Sequence, residues 1–419
     1  MMKRIRYRYL WILIVMTFLS VLSYYIYNKV CPPSYGHKVV ICIPVYGQSY
    51  ALGEEATRIT DFDSLRIKYN GRIVTEKLDY TFGYFDHSSL FKQWVKRVIH
   101  YDKKAFELSV YSMAEVLSQE LGEDTVICIF PGGHGMNTIQ ELMKPVEPYN
   151  KFIREIATAY ETAQDRGWDF FVPAVCWMQG ESDIVEYPDY DYKVYFYRMY
   201  NDLNSDIKII THQKDDIRVI CYQSSTVTKG LRYKVNNFEA TESRTPTAQM
   251  ELIRDDSLIW ASGPTYPYDF VNESLHIDAV GQQSIGILAA KSALGILRKT
   301  KPNIGLVPLS YEIDGNDIRI LFNVPCPPLR FDTINVKKVD NYGFNVISPD
   351  NTDIISNVNI DNNSVIIRCK KKPLGCKLRY GINGEYMQGG RNKGARGNLR
   401  DSHELIHNWS CIYEIFMQQ

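Results

Sequence analysis

Short apolar runs alternate with longer amphipathic segments from residue 39 to about residue 299 of this chain, and the texture then changes. The runs at 39–45, 125–130, 170–177, 217–223 and 258–261 predict buried strands. Between and after them, the segments 88–100, 108–121, 148–166, 191–207 and 279–299 carry apolar residues at helical spacing. Strands separated by helices predict a parallel sheet covered on both faces, a three-layer αβα domain. Such sheets place their sites beyond the carboxyl ends of the strands. After Lys301-Pro302-Asn303 the apolar runs shorten to 318–324, 333–338, 343–348, 357–360 and 364–369, split by Asn, Asp, Gly and Pro. That rhythm predicts an antiparallel β-sandwich-like domain with a boundary near residue 302. The expected division is an α/β domain over 36–301 and a β-rich accessory domain over 302–419.

The first 30 residues read differently. Lys3, Arg4, Arg6 and Arg8 precede an uncharged stretch from Tyr9 to Asn28. Twenty such residues are long enough to cross a bilayer as a helix. The basic side stays cytoplasmic, so the expectation is a membrane anchor with the body of the protein periplasmic or extracellular. A cleaved signal peptide is the rival, with Val21 and Ser23 at the minus-three and minus-one places.

Composition narrows the field. Lys plus Arg and Asp plus Glu both number 48 among 419 residues, which leaves no global field to recruit nucleic acid. Of the nine cysteines, Cys42, Cys128, Cys176 and Cys221 fall inside predicted core strands, where a thiol behaves as a small hydrophobe. Cys369 and Cys376 are close enough in sequence to suggest a bridge. No spacing resembles a zinc site, and neither a metal nor any other cofactor is expected.

Three strand-end segments carry the chemistry. Gly47-Gln48-Ser49-Tyr50 follows the first strand, Trp177-Met178-Gln179-Gly180-Glu181-Ser182-Asp183 the third, and Glu273-Ser274-Leu275-His276 precedes the last helix. A serine hydroxyl needs a base to take its proton, most often a histidine. Of eight histidines, His276 alone has an acid three residues before it and a helix-opening glycine shortly after. A short loop there lets Glu273 fold back onto one ring nitrogen while the other faces Ser49. Oxyanion donors are sought in the Ser49 amide, in Gly132-Gly133-His134-Gly135 after the second strand, and in the Gln179 side chain. The run 389–401, rich in glycine and arginine, reads either as a flexible surface loop or as a basic lip toward a ligand.

These blocks resemble the SGNH (GDSL-like) hydrolase superfamily, and within it the sialate O-acetylesterase-like carbohydrate acetylesterases. The likeness covers about residues 38–298 and implies a flavodoxin-like sheet. It also implies Ser49 as nucleophile, His276 as base, Glu273 as orienting acid, and Ser49, Gly133 and Gln179 as oxyanion donors. Gln48, Glu181 and Asp183 support the Gln179 loop on this reading. Two positions depart from the family pattern: Tyr50 replaces asparagine and Glu273 replaces aspartate. The first is expected to reshape the acyl pocket, and the second leaves a serine–histidine dyad conceivable. The expected function is a serine esterase removing O-acetyl groups from a carbohydrate. The alternatives are an esterase or lipase on non-carbohydrate esters, and a non-catalytic glycan-binding protein on an esterase scaffold.

Overall fold

A computed structural model describes residues 36–78, 106–186, 191–225, 233–235, 238–240, 244–384 and 388–418. The expected membrane segment at 9–28 and the expected helix at 88–100 lie outside these residues. Among the described residues no helix is long and apolar enough to cross a membrane.

The central element is a parallel sheet. Val39–Cys42 pairs with Thr125–Cys128 on one side and Asp169–Phe171 on the other. The chain then continues in line to Val45–Gly47, which pairs with Pro131–Gly133 and with Ala174–Met178. Pro44, Pro131 and Pro173 fall at the joints of these three strands. A proline donates no ladder hydrogen bond, so pairing is interrupted there without the strands separating. Ile73–Val74 adds one edge, and Arg218–Gln223 followed by Ile259–Pro264 completes the other.

Both faces are apolar because both are covered. Alternate residues of one strand go to opposite sides: Val40 and Cys42 join one core, Ile41 and Ile43 the other. Helices Glu147–Asp165, Tyr192–Thr211 and Thr245–Asp255 close the first face. Ser109–Glu120 and Ala279–Leu297 close the second.

From Val307 on, the strands are antiparallel. One sheet is built from Val307–Asp314, Asp317–Asn323, Ser364–Cys369 and Ile355–Asp361. A second joins Phe344–Ile347, Lys377–Tyr380 and Tyr413–Phe416, and the two share an apolar core that also takes Met250 and Tyr266 from the α/β part. The Gln223 side chain, at the end of a parallel strand, bonds both the N–H and the carbonyl of Ile412, each at 2.7 Å. The two parts are therefore clamped at the strand ends, where the site lies.

Two expectations need correction. Residues 333–338 form turns rather than a strand, because the Asp332 carboxylate accepts from the N–H groups of Ile334 and Asn335 and winds the chain locally. Cys369 and Cys376 are both free thiols, as are all the described cysteines.

Candidate active site

Ser49 sits in the turn that leaves Val45–Gly47, with its hydroxyl buried at the carboxyl end of the sheet. Its Oγ lies 2.8 Å from His276 Nε2. The turn continues tightly: the N–H of Leu52 bonds the Gln48 carbonyl and that of Glu54 bonds the Ser49 carbonyl. Glu55 is thereby lifted beside the same histidine, and its Oε2 accepts from His276 Nδ1 at 2.7 Å. This hydrogen bond holds the Glu55 carboxyl below the usual glutamate range. Glu55 occupies the left-handed region, φ +67°, a conformation a non-glycine residue keeps only when its surroundings impose it.

His276 lies in the loop between Ile259–Pro264 and Ala279–Leu297. Its carbonyl accepts from the Val271 N–H at 2.8 Å, and Asp278 caps the following helix through the Gly281 N–H. Tyr50 packs against the imidazole, ring centroids 5.5 Å apart, and donates its hydroxyl to the Leu275 carbonyl. At 1% exposure Tyr50 is a buried floor under the histidine loop.

Glu273 does not hold the position expected of it. Its carboxylate pairs with Lys393 Nζ at 2.6 Å, and the place on His276 Nδ1 belongs to Glu55. The cause is the loop's backbone: Asn272 and Glu273 both adopt positive φ. The Glu273 carbonyl also accepts from the Gly389 N–H at 3.0 Å. The glycine-rich run after 389 is accordingly not a free surface loop. It docks on the histidine loop, where Arg391 makes a two-pronged pair with Asp269 and its N–H bonds the Tyr268 carbonyl. A Cβ on Gly389 would stand 2.1 Å from the Phe270 ring, so only glycine permits this approach.

The donor residues divide. Among the described residues the Ser49 N–H meets no acceptor. Gly133 lies beside it at φ +113°, where a Cβ would come within 1.8 Å of the Gly47 carbonyl oxygen. Gln179, by contrast, is fully buried with its amide committed. Its Nε2 donates to Asp183 Oδ2 and to the Asn137 carbonyl, and its Oε1 accepts from Tyr192 at 2.9 Å. That corrects its expected place as a free oxyanion donor. Gln48 Oε1 accepts from the N–H groups of Gly180 and Ser182, which ties the serine turn to this loop.

Two carboxyls beneath the loop are perturbed. Burial pushes Glu181 up to about 7, although Tyr222 donates to it. Burial likewise pushes Asp183 up to about 7, despite bonds from Gln179 and the Ile139 N–H. A third, Glu54, is buried between His276 and His134, and desolvation raises it as well. Sequence reasoning missed both Glu54 and Glu55. The available signal was the acid pair five and six residues after the serine, inside one turn.

A serine, a histidine and a carboxylate in line at the strand ends of a parallel αβα sheet form the constellation of a serine hydrolase. Residues 103–295 match the family model "carbohydrate esterase, sialic acid-specific acetylesterase". The match contains Gly133, Gln179 and His276 and begins after Ser49 and Glu55; the protein is a carboxylic ester hydrolase related to that family over this range. No curated protein matches the chain. Among solved structures, a carbohydrate acetylesterase from Xanthomonas citri is similar at 13% identity, with 90% of this chain and 80% of that one covered and a TM-score of 0.58, which shows a shared fold. NanS, at 14% identity, 62% and 98% coverage and a TM-score of 0.41, is a more distant likeness. A protein from Arabidopsis thaliana stands at the same TM-score, 0.41, with 16% identity and the same coverage, 62% and 98%.

Proposed function

We propose that this protein is a serine esterase that removes O-acetyl groups from a carbohydrate, sialic acid or another acetylated glycan, through an acyl-enzyme intermediate. The observation that carries the reading is the relay from Glu55 Oε2 to His276 Nδ1 at 2.7 Å and from His276 Nε2 to Ser49 Oγ at 2.8 Å. The substrate class is supported by the match to a sialic acid-specific acetylesterase family.

In this scheme Ser49 Oγ attacks the acetyl carbonyl carbon while its proton passes to His276 Nε2. The N–H groups of Ser49 and Gly133 bond the oxyanion, and the ionised Glu55 stabilises the imidazolium. Collapse breaks the bond to the sugar oxygen, which takes the proton from His276 and leaves. Water gives a proton to His276 as it attacks the acetyl-serine; collapse breaks the ester bond to Ser49 Oγ, which takes that proton back from His276 as acetate leaves. Gln48 and Gln179 hold the two loops that frame this reaction. Gln179 does so by satisfying Asp183 and Tyr192, so its contribution is to shape. The same reading keeps the body of the protein outside the cytoplasm behind an anchor at 9–28, on the charge pattern of Lys3, Arg4, Arg6 and Arg8 alone.

The test is acetate release by the full chain from O-acetylated sialic acid and from an acetylated neutral sugar, compared with hydrolysis of 4-nitrophenyl palmitate. Release from an acetylated sugar, with the long-chain ester turned over far more slowly, is expected. Turnover of the palmitate ester alone, or of no ester, would overturn the proposal.

A further inference from the structure

A cleft of about 520 Å³ opens in the antiparallel part of the molecule, away from Ser49. Its size falls within the range that holds small ligands, roughly 300–1,000 Å³. Unlike most such pockets its walls are largely polar, and they include Asp340, Asn345, Asn383, Asn392, Lys393 and Arg396.

The charges in this wall are balanced. Lys393 is paired with Glu273. Arg396 spends Nε on the Lys337 carbonyl and Nη1 on the Gly394 carbonyl, and burial lowers its guanidinium from the usual arginine range. Asp340 supplies a negative charge of its own. A polyanion would find no unpaired cationic cluster here. Asn383 spends its amide on the Arg396 carbonyl and N–H, and Asn345 donates to Asp353 Oδ2. The Asn392 amide remains to offer a donor and an acceptor, and the Asp340 carboxylate to accept twice, which suits a ligand whose hydroxyls both give and take hydrogen bonds. Asn392 and Asp340 are exposed at the rim, and among the described residues no structural bond holds either side chain.

The cleft is also joined to the catalytic loop. Lys393 lines the cleft and bonds Glu273, whose carbonyl takes the Gly389 N–H. Glu273 precedes His276 by three residues, and three residues of chain span at most about 11 Å. A glycan chain of a few units could therefore lie across the Glu273–Lys393 pair and reach both places.

We infer that this cleft is an accessory subsite for a neutral, polyhydroxylated unit of the glycan whose acetyl ester enters the Ser49 site. The ester end of the statement rests on the esterase reading; the binding of sugar in the cleft does not.

The experiment has two parts. The full-length Ser49→Ala protein is passed over an array of non-acetylated neutral and sialylated tetrasaccharides, beside the same protein carrying Asp340→Ala and Asn392→Ala. Retention of a neutral-sugar glycan by the first and at least a fivefold weaker signal from the second is expected. No retention by either, or equal retention by both, would overturn the subsite. The acetylated form of the retained glycan is then given to the Asp340→Ala/Asn392→Ala enzyme with Ser49 intact. KM should rise at least fivefold, with kcat unchanged and 4-nitrophenyl acetate turnover unaffected. An unaltered KM for that glycan would refute the role in substrate binding. Retention lost in the double variant, with no ester hydrolysed by the enzyme, would sustain the subsite while refuting the esterase reading.

Discussion

Glu55→Gln is the substitution that separates the observed relay from the one expected at Glu273. The change keeps the side chain's length and its capacity to accept a hydrogen bond from Nδ1, but removes the charge facing the imidazolium. A charge pair at about 4 Å in a surface-like dielectric near 20 is worth about 4 kcal/mol. Glu55 is 41% exposed at its side chain, so water screens part of that attraction. A barrier increase of about 1.4–2.7 kcal/mol remains, or ~10–10² in kcat. Steady-state hydrolysis of 4-nitrophenyl acetate reads it directly, and an unchanged unfolding midpoint shows that the fold is intact. Glu273→Gln is the control. It breaks an exposed pair with Lys393 and should leave kcat within about threefold. If Glu273→Gln proves the damaging change and Glu55→Gln the silent one, the histidine loop closes differently in the working enzyme and the assignment of Glu55 is wrong. If both are silent while Glu54→Gln is severe, the buried neighbour is the acid.

Other consequences follow from groups whose partners are now visible. Gln179→Ala leaves Asp183 and the Tyr192 hydroxyl short of a buried partner, which costs about 1–3 kcal/mol for each orphaned group. Urea titration should therefore show a clear loss of stability, with kcat falling less than about tenfold; a drop of ~10²–10³ with stability intact would restore it as an oxyanion donor. Glu181 is raised to about 7 in the fold against 4.5 unfolded, so between these values the unfolded chain has lost a proton that the folded one retains. Stability should therefore fall as pH rises across that window. Glu181→Gln should flatten this slope in thermal scans from pH 4.5 to 7, and an equal slope in both proteins would remove Glu181 as its source.

Much of the α/β part was legible because its strands are covered on both faces and read as continuous apolar runs. Val39–Cys42, Thr125–Cys128 and Ala174–Met178 are of this kind. The helix expected at 148–166 forms as Glu147–Asp165, since its apolar stripe of Tyr149, Phe152, Ile156, Ala159 and Ala163 has a clear period. Short or half-exposed elements were not legible. The helix Phe62–Lys68 buries only Leu65, and Ile73–Val74 is a two-residue edge. Thr245–Asp255 was missed because it carries a proline at its second position and mixes polar residues into its buried face, Gln249 among them.

The site shows the same division. Ser49 and His276 stand in motifs with strand-end contexts, and the structure brings them within a hydrogen bond. The third member was misread because two acids compete for one imidazole. Nothing local tells that Asn272 and Glu273 turn through positive φ toward Lys393, or that the serine turn lifts Glu55 the other way. Gln179 was misread for a related reason. Its motif is conspicuous, but the partners that occupy its amide, Asp183 and Tyr192, come from the two helices that follow it.

In the proposed mechanism Ser49 is the nucleophile of a Ser49–His276–Glu55 relay. The most direct test treats the full-length protein with a fluorophosphonate and locates the adduct by peptide mass spectrometry. One adduct is expected, on Ser49, with about a tenfold or greater loss of labelling rate in Glu55→Gln, because the serine's proton then has a weaker sink. An adduct on any other serine, or labelling of Ser49 at an equal rate without Glu55, would contradict it.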